Sequence, residues 1–107
     1  MSAMGRRRYE ILLPLRFNDG QPVPDELFGE TLLELRQQFR AVSAETQIIR
    51  GVWDREEAVY RDELNRVFVD VLDDPATREF FVAYKEKLKA RFKQIEIWIT
   101  TYPIEVL

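Results

Sequence analysis

The sequence predicts an α+β domain, with two amphipathic helices on one face of a four-stranded antiparallel sheet. Two observations carry this. Ile95-Glu96-Ile97-Trp98-Ile99-Thr100-Thr101-Tyr102 alternates with period two, with isoleucines on one side, which must be buried, and Glu96, Trp98, Thr100 and Tyr102 on the other. Two other stretches, from Pro22 to Val42 and from Asp73 to Phe92, space their apolar residues by three and four behind an opening proline and acids.

The chain opens on an unpatterned Met1 to Gly5 followed by Arg6-Arg7-Arg8, which predicts a flexible basic arm over residues 1–8 and one folded domain over 9–107. Tyr9 to Phe17 reads as a first strand, apolar on both sides and therefore central, with an irregularity at Pro14, which cannot donate to a ladder. Asn18-Asp19-Gly20 is a turn. The first helix then buries Phe28, Leu32, Leu35, Phe39 and Val42 and turns Glu30, Glu34, Arg36, Gln37 and Arg40 to water.

Glu45 to Trp53 and Ala58 to Val71 form a hairpin across the charged turn Asp54-Arg55-Glu56-Glu57, with Val67, Val69 and Val71 facing the core. Asp74 caps the second helix, Pro75 fits its first turn, and Phe80, Phe81, Tyr84, Leu88 and Phe92 make its buried stripe. Lys85, Lys87, Lys89, Arg91 and Lys93 crowd its end as a solvated face with the capacity to meet an acidic partner. The order β-α-β-β-α-β is the ferredoxin-like plan, and right-handed crossovers predict a sheet in the order 4-1-3-2 with both helices on one side.

Composition excludes much chemistry. The 107 residues suffice for one core, and no apolar run approaches the ~20 residues that span a bilayer. Nothing near Met1 resembles an export signal, so the expected location is cytoplasmic, with no membrane association. The chain has no cysteine and no histidine, which removes thiol and imidazole catalysis and the metal sites built on them. No P-loop, dinucleotide fingerprint, calcium loop or nucleophile elbow is present, so no metal, cofactor or catalytic residue is implied.

A two-layer sandwich leaves one sheet face uncovered. Alternation places Leu12, Phe68 and Trp98 at the centre of that face, with Arg16, Arg66, Asp70 and Glu96 around them and Pro14, Leu64, Thr100 and Tyr102 beside them. A patch of this kind predicts a cover. A second copy of the chain, face to face, makes a homodimer. Single-stranded RNA, stacked on Phe68 and Trp98, is disfavoured by the net charge of −3 and by the absence of a glycine-aromatic signature at Asn65-Arg66-Val67-Phe68-Val69. The chain's own tail or arm is the third cover.

The expected role is thus a non-enzymatic binding or assembly module. The alternative is a small-ligand sensor or cofactor-independent enzyme with a cavity between paired sheets, where Asp70 with a raised pKa acts as base and Arg16 or Arg66 holds an anion. Leu13-Pro14-Leu15-Arg16-Phe17-Asn18-Asp19-Gly20 and Ile95-Glu96-Ile97-Trp98-Ile99 together resemble small uncharacterised bacterial proteins of ferredoxin-like, dimeric α+β barrel-like type. The resemblance implies one compact cytoplasmic domain and carries no catalytic motif.

Overall fold

The computed structural model describes the backbone of residues 5–53 and 58–107, and the side chains of residues 5–46 and 63–107. Its elements are β1 (Arg6–Pro14), α1 (Asp25–Phe39), β2 (Ser43–Trp53), β3 (Ala58–Leu72), α2 (Pro75–Arg91) and β4 (Trp98–Ile104). The strands form one antiparallel sheet in the order β2-β3-β1-β4, which is the expected 4-1-3-2 seen from the other edge. The fold is ferredoxin-like. The turn expected at Asp54 to Glu57 lies outside the described residues.

Strand β1 is central because its alternation satisfies two layers. Tyr9, Ile11 and Leu13 are buried together with Val67, Val69 and Val71 of β3, while the residues between them face the other way. Above this row lie Leu35 of α1 and Phe81, Tyr84, Leu88 and Phe92 of the α2 segment. Tyr9 stacks on Phe81 with ring centroids 4.1 Å apart, and Phe39 stacks on Phe81 at 5.3 Å. Each fully buried leucine or isoleucine of this layer contributes roughly 1.5–3 kcal/mol relative to exposure. The helices are thereby fixed to one face of the sheet.

Several element boundaries differ from the sequence reading, each for a local reason. β1 runs from Arg6 to Pro14 rather than from Tyr9 to Phe17. Arg6, Arg7 and Arg8 are strand residues, not an arm, because the acids of β3 and the loop after it hold them: Arg7 bonds Asp73 at 3.1 Å and Arg8 bonds Asp70 at 2.7 Å. Pro14 ends the strand instead of merely disturbing it. The chain then doubles back, with Phe17 N–H bonding Gln21 O at 2.8 Å and Val23 N–H bonding Leu15 O at 2.9 Å. Gly20 supplies the positive φ of 86° that this reversal requires.

Helix α1 stops at Phe39 because Arg40 adopts a left-handed conformation, so Val42 packs from beyond the helix. Asp74 caps α2 as expected, accepting from Thr77 N–H at 2.8 Å. The last strand begins at Trp98, not Ile95. Lys93 takes a positive φ and Gln94 N–H bonds Lys89 O at 2.9 Å, so residues 93–97 close the helix and descend to the sheet. Ile97 is buried by this path, but Ile95 is 90% exposed, against the expectation that the isoleucine side is wholly buried.

The helix pair is clasped by a polar cluster whose charged members, Glu34, Lys87 and Arg91, sequence reading put in water. Arg91, expected on the solvated face, has a side chain only 7% exposed and bonds Glu34 at 2.7 Å and the fully buried Thr31 hydroxyl at 2.8 Å. Glu34 also accepts from Tyr84 Oη at 2.8 Å and pairs with Lys87. The Arg91 bond, joined by Lys87 and Tyr84, pulls the Glu34 carboxyl down from the ordinary 4.5 to about 2. Burial, and then the Glu34 carboxylate, push the Tyr84 phenol up.

A depressed carboxyl stabilises the fold fully above its unfolded value and loses that contribution as pH falls through its folded value. Between pH ~4.5 and ~2 the urea midpoint of the wild type should therefore fall steeply, and that of Glu34→Gln should fall less steeply while starting lower at neutral pH. Parallel acid limbs for the two proteins would contradict the clasp.

Candidate functional site

The face of the sheet opposite the helices is built in rows that the register dictates. Arg8 of β1 lies between Asp70 of β3 and Tyr102 of β4; Glu10 lies between Phe68 and Thr100; Leu12 lies between Arg66 and Trp98; and Pro14 faces Leu64. Strand β2 extends two of these rows, with Ser43 opposite Phe68 and Glu45 opposite Arg66. Sequence reading thus placed Leu12, Pro14, Leu64, Arg66, Phe68, Asp70, Trp98, Thr100 and Tyr102 on one surface, and the register brings them together.

The centre of that surface is an ionic lattice rather than the expected apolar cluster. Arg8 makes a fork to Asp70, Nε to Oδ1 at 2.7 Å and Nη2 to Oδ2 at 2.9 Å. Arg66 bonds Glu10 and, at 2.9 Å, Glu45, while Tyr102 Oη donates to Glu10 at 2.6 Å. The Phe68 ring has the Arg8 guanidinium 4.6 Å and the Arg66 guanidinium 4.2 Å from its centroid. Glu10 and Arg8 share the parity of Leu12, so alternation alone put them on this face; reading Arg8 as part of an arm hid one, and attention to the apolar residues hid the other.

The electrostatics follow from these bonds. Arg8 holds the Asp70 carboxyl below the usual carboxylate range. A base at Asp70 would require the opposite shift. Arg66 does the same for Glu10, with help from Tyr102. Asp70 raises the Arg8 guanidinium further, so the pairs are charged across the physiological range.

Two expected members lie elsewhere. Arg16 is beyond the end of β1 in the doubled-back loop, where its Nη1 donates to Gly20 O at 3.1 Å. It borders an open cleft of about 590 Å³ with Pro14, Phe17, Glu63, Leu64 and Gln94, and it joins neither Arg66 nor Asp70. Glu96 precedes β4 and bonds Lys85 of α2 at 2.8 Å, which draws it to the helix side and lowers its carboxyl pKa. The cations of α2 and of the turn after it are likewise engaged: Lys87 with Glu34, Lys89 with Glu86 at 3.1 Å, and Lys93 over the Phe17 ring.

The β4 side of the face has no such saturation. Trp98 is 63% exposed and Tyr102 40% exposed, and β4 carries no charge from Trp98 to Ile104. Val106 and Leu107 are exposed as well, so the C-terminal tail does not fold back over the sheet. Among the described residues no group of three or more acidic, histidine or cysteine side chains converges to hold a metal ion, and no helix is long and apolar enough to cross a membrane.

No protein-family profile matches this chain, and no curated protein matches it by sequence. Solved structures of the same fold do. A phage SAM lyase in complex with S-methyl-5′-thioadenosine aligns with a TM-score of 0.64 at 15% identity, over 99% of this chain and 94% of that one. The phage SAM lyase in its apo state gives 0.56 at 16% identity, over 96% and 86%. CutA1 from Oryza sativa gives 0.55 at 16% identity, over 96% of this chain and 83% of that one. At these identities the fold is what is shared.

Because Arg66 neutralises Glu10, replacing it should be read directly at its partner. In Arg66→Met the Glu10 carboxyl, followed by its side-chain NMR shift against pH, should titrate higher than in the wild type, and the fold should lose about 1.5–3 kcal/mol in denaturation. An unmoved Glu10 titration would show that the lattice does not hold in solution.

Proposed function

We propose that this chain is a non-enzymatic assembly module, a homodimer joined through the open face of its sheet. The observation that carries the reading is Trp98, 63% exposed beside Leu12 on a face that neither helix nor tail covers. A large indole left in water next to further apolar side chains is the usual mark of a partner surface, and tryptophan is among the residues that dominate such contacts. The apolar side chains Leu12, Pro14, Leu64 and Trp98 gather at one end of the face, away from the Arg8–Asp70 pair. A second copy that meets this end from the Trp98 side leaves the Arg8–Asp70 pair its water, the loss of which would oppose association.

The alternative is a pocket for a small ligand between paired sheets. Its support is the fold shared with a lyase that holds S-methyl-5′-thioadenosine. Against it, Arg66 and Asp70 are already bonded to Glu10, Glu45 and Arg8, and Arg16 lies outside the face. Stacking of RNA bases is disfavoured in the same way, because both guanidiniums lie against the Phe68 ring.

Light scattering across a dilution series, on wild type and on Trp98→Glu, tests the proposal. The wild type should be a dimer, and the variant a folded monomer whose dissociation constant has risen at least about a hundredfold. A wild type that is monomeric at every concentration would sink it. Calorimetry with S-methyl-5′-thioadenosine should give no heat; saturable binding would favour the ligand pocket instead.

A further inference from the structure

Resting on the reading that the chain is a homodimer through its open face, we infer that the copies meet at the β4 border of that face, where Trp98 stands, and join along β4. Its outer edge pairs antiparallel with the same strand of the partner and extends the sheet from four strands to eight. The topology supplies the first reason. β4 is a terminal strand, hydrogen-bonded among the described residues to β1 alone, so its other edge presents N–H and C=O groups that no described strand pairs.

Its sequence supplies the second. Natural edge strands are blunted by charges, bulges or proline, yet β4 carries no charge, and its one proline, Pro103, removes a donor only opposite the partner's Ile99, leaving Thr100 to Tyr102 free to pair. The opposite edge strand, β2, contains Glu45, Arg50 and Gly51.

The occupant is a second copy because β4 is complementary to itself. Antiparallel self-pairing sets the Trp98 end of one strand beside the Ile104 end of the other and places no like charges opposite each other, while aromatic residues meet threonine and β-branched neighbours. The pairing is isologous, so it uses both β4 edges and leaves none for a third copy, with the charged β2 strands at the two outer edges. Exposed apolar residues border this strand at both ends, Ile95 before it and Val106 after it, with Trp98 and Tyr102 within it. The alternative of two sheets packed flat, centre on centre, would bury Arg8, Glu10, Arg66 and Asp70 from both copies.

Residue-resolved amide hydrogen exchange on the wild type, above and below the dimer midpoint, tests the pairing. Alternate amides of Trp98 to Tyr102 should exchange at least about tenfold more slowly in the dimer and lose that protection on dilution, while β1 amides stay protected throughout. Thr100→Lys, a gatekeeping charge set opposite Glu10, should give a folded monomer with fast β4 amides. A dimer whose β4 amides exchange at the monomer's rate overturns the edge pairing and leaves self-assembly standing. A chain monomeric at every concentration overturns both.

Discussion

The register of β1 is the constraint on which everything else depends. This one strand pairs with β3 and β4 at once, and its alternation sorts Tyr9, Ile11 and Leu13 from Arg8, Glu10 and Leu12. A slip by one residue would carry the first group into water and two charges into the core. Strand identity and ion pairing enforce the same register: Ile11 meets Val67 inside while Arg8 meets Asp70 outside. The two faces therefore stabilise one another's alignment, although no side chain passes between them.

That register also decides what the open face can be. Cross-strand placement gives every charge near its centre an opposite partner, so the lattice of Arg8, Asp70, Arg66, Glu10 and Glu45 sits comfortably in water without a ligand. Partly exposed pairs of this kind contribute modestly individually, but their geometry orders the side chains around Phe68. The carboxyls there are held down rather than pushed up. The unsatisfied part of the surface is displaced to the β4 side, where Trp98 stands.

Element order and sheet topology were legible in the sequence because periods of two and of three to four residues report which side of an element is buried. The open face was legible for the same reason, which is why Arg66, Phe68, Asp70, Trp98, Thr100 and Tyr102 fall together. What escaped were features set by partners distant in sequence. Arg6, Arg7 and Arg8 look like an arm until Asp70 and Asp73 are brought beside them. Arg91 looks solvated until Glu34 and Thr31 arrive from the other helix. Thr31 itself carried a signal, since it lies three residues after Phe28 and four before Leu35, on the buried stripe. Arg16 and Glu96 were misplaced because alternation was extended past Pro14 and ahead of Trp98, where the strands have already ended.

The central claim is that a second copy takes Trp98 out of water. In Trp53→Phe, Trp98 is the only indole, so its emission reports its surroundings directly. A second copy on this face predicts a red-shifted spectrum in dilute solution that moves to the blue as concentration rises, with a midpoint matching that of association. A spectrum that stays red-shifted while the chain associates would place the interface elsewhere, and one already blue-shifted in the monomer would contradict the exposed Trp98 on which the claim stands.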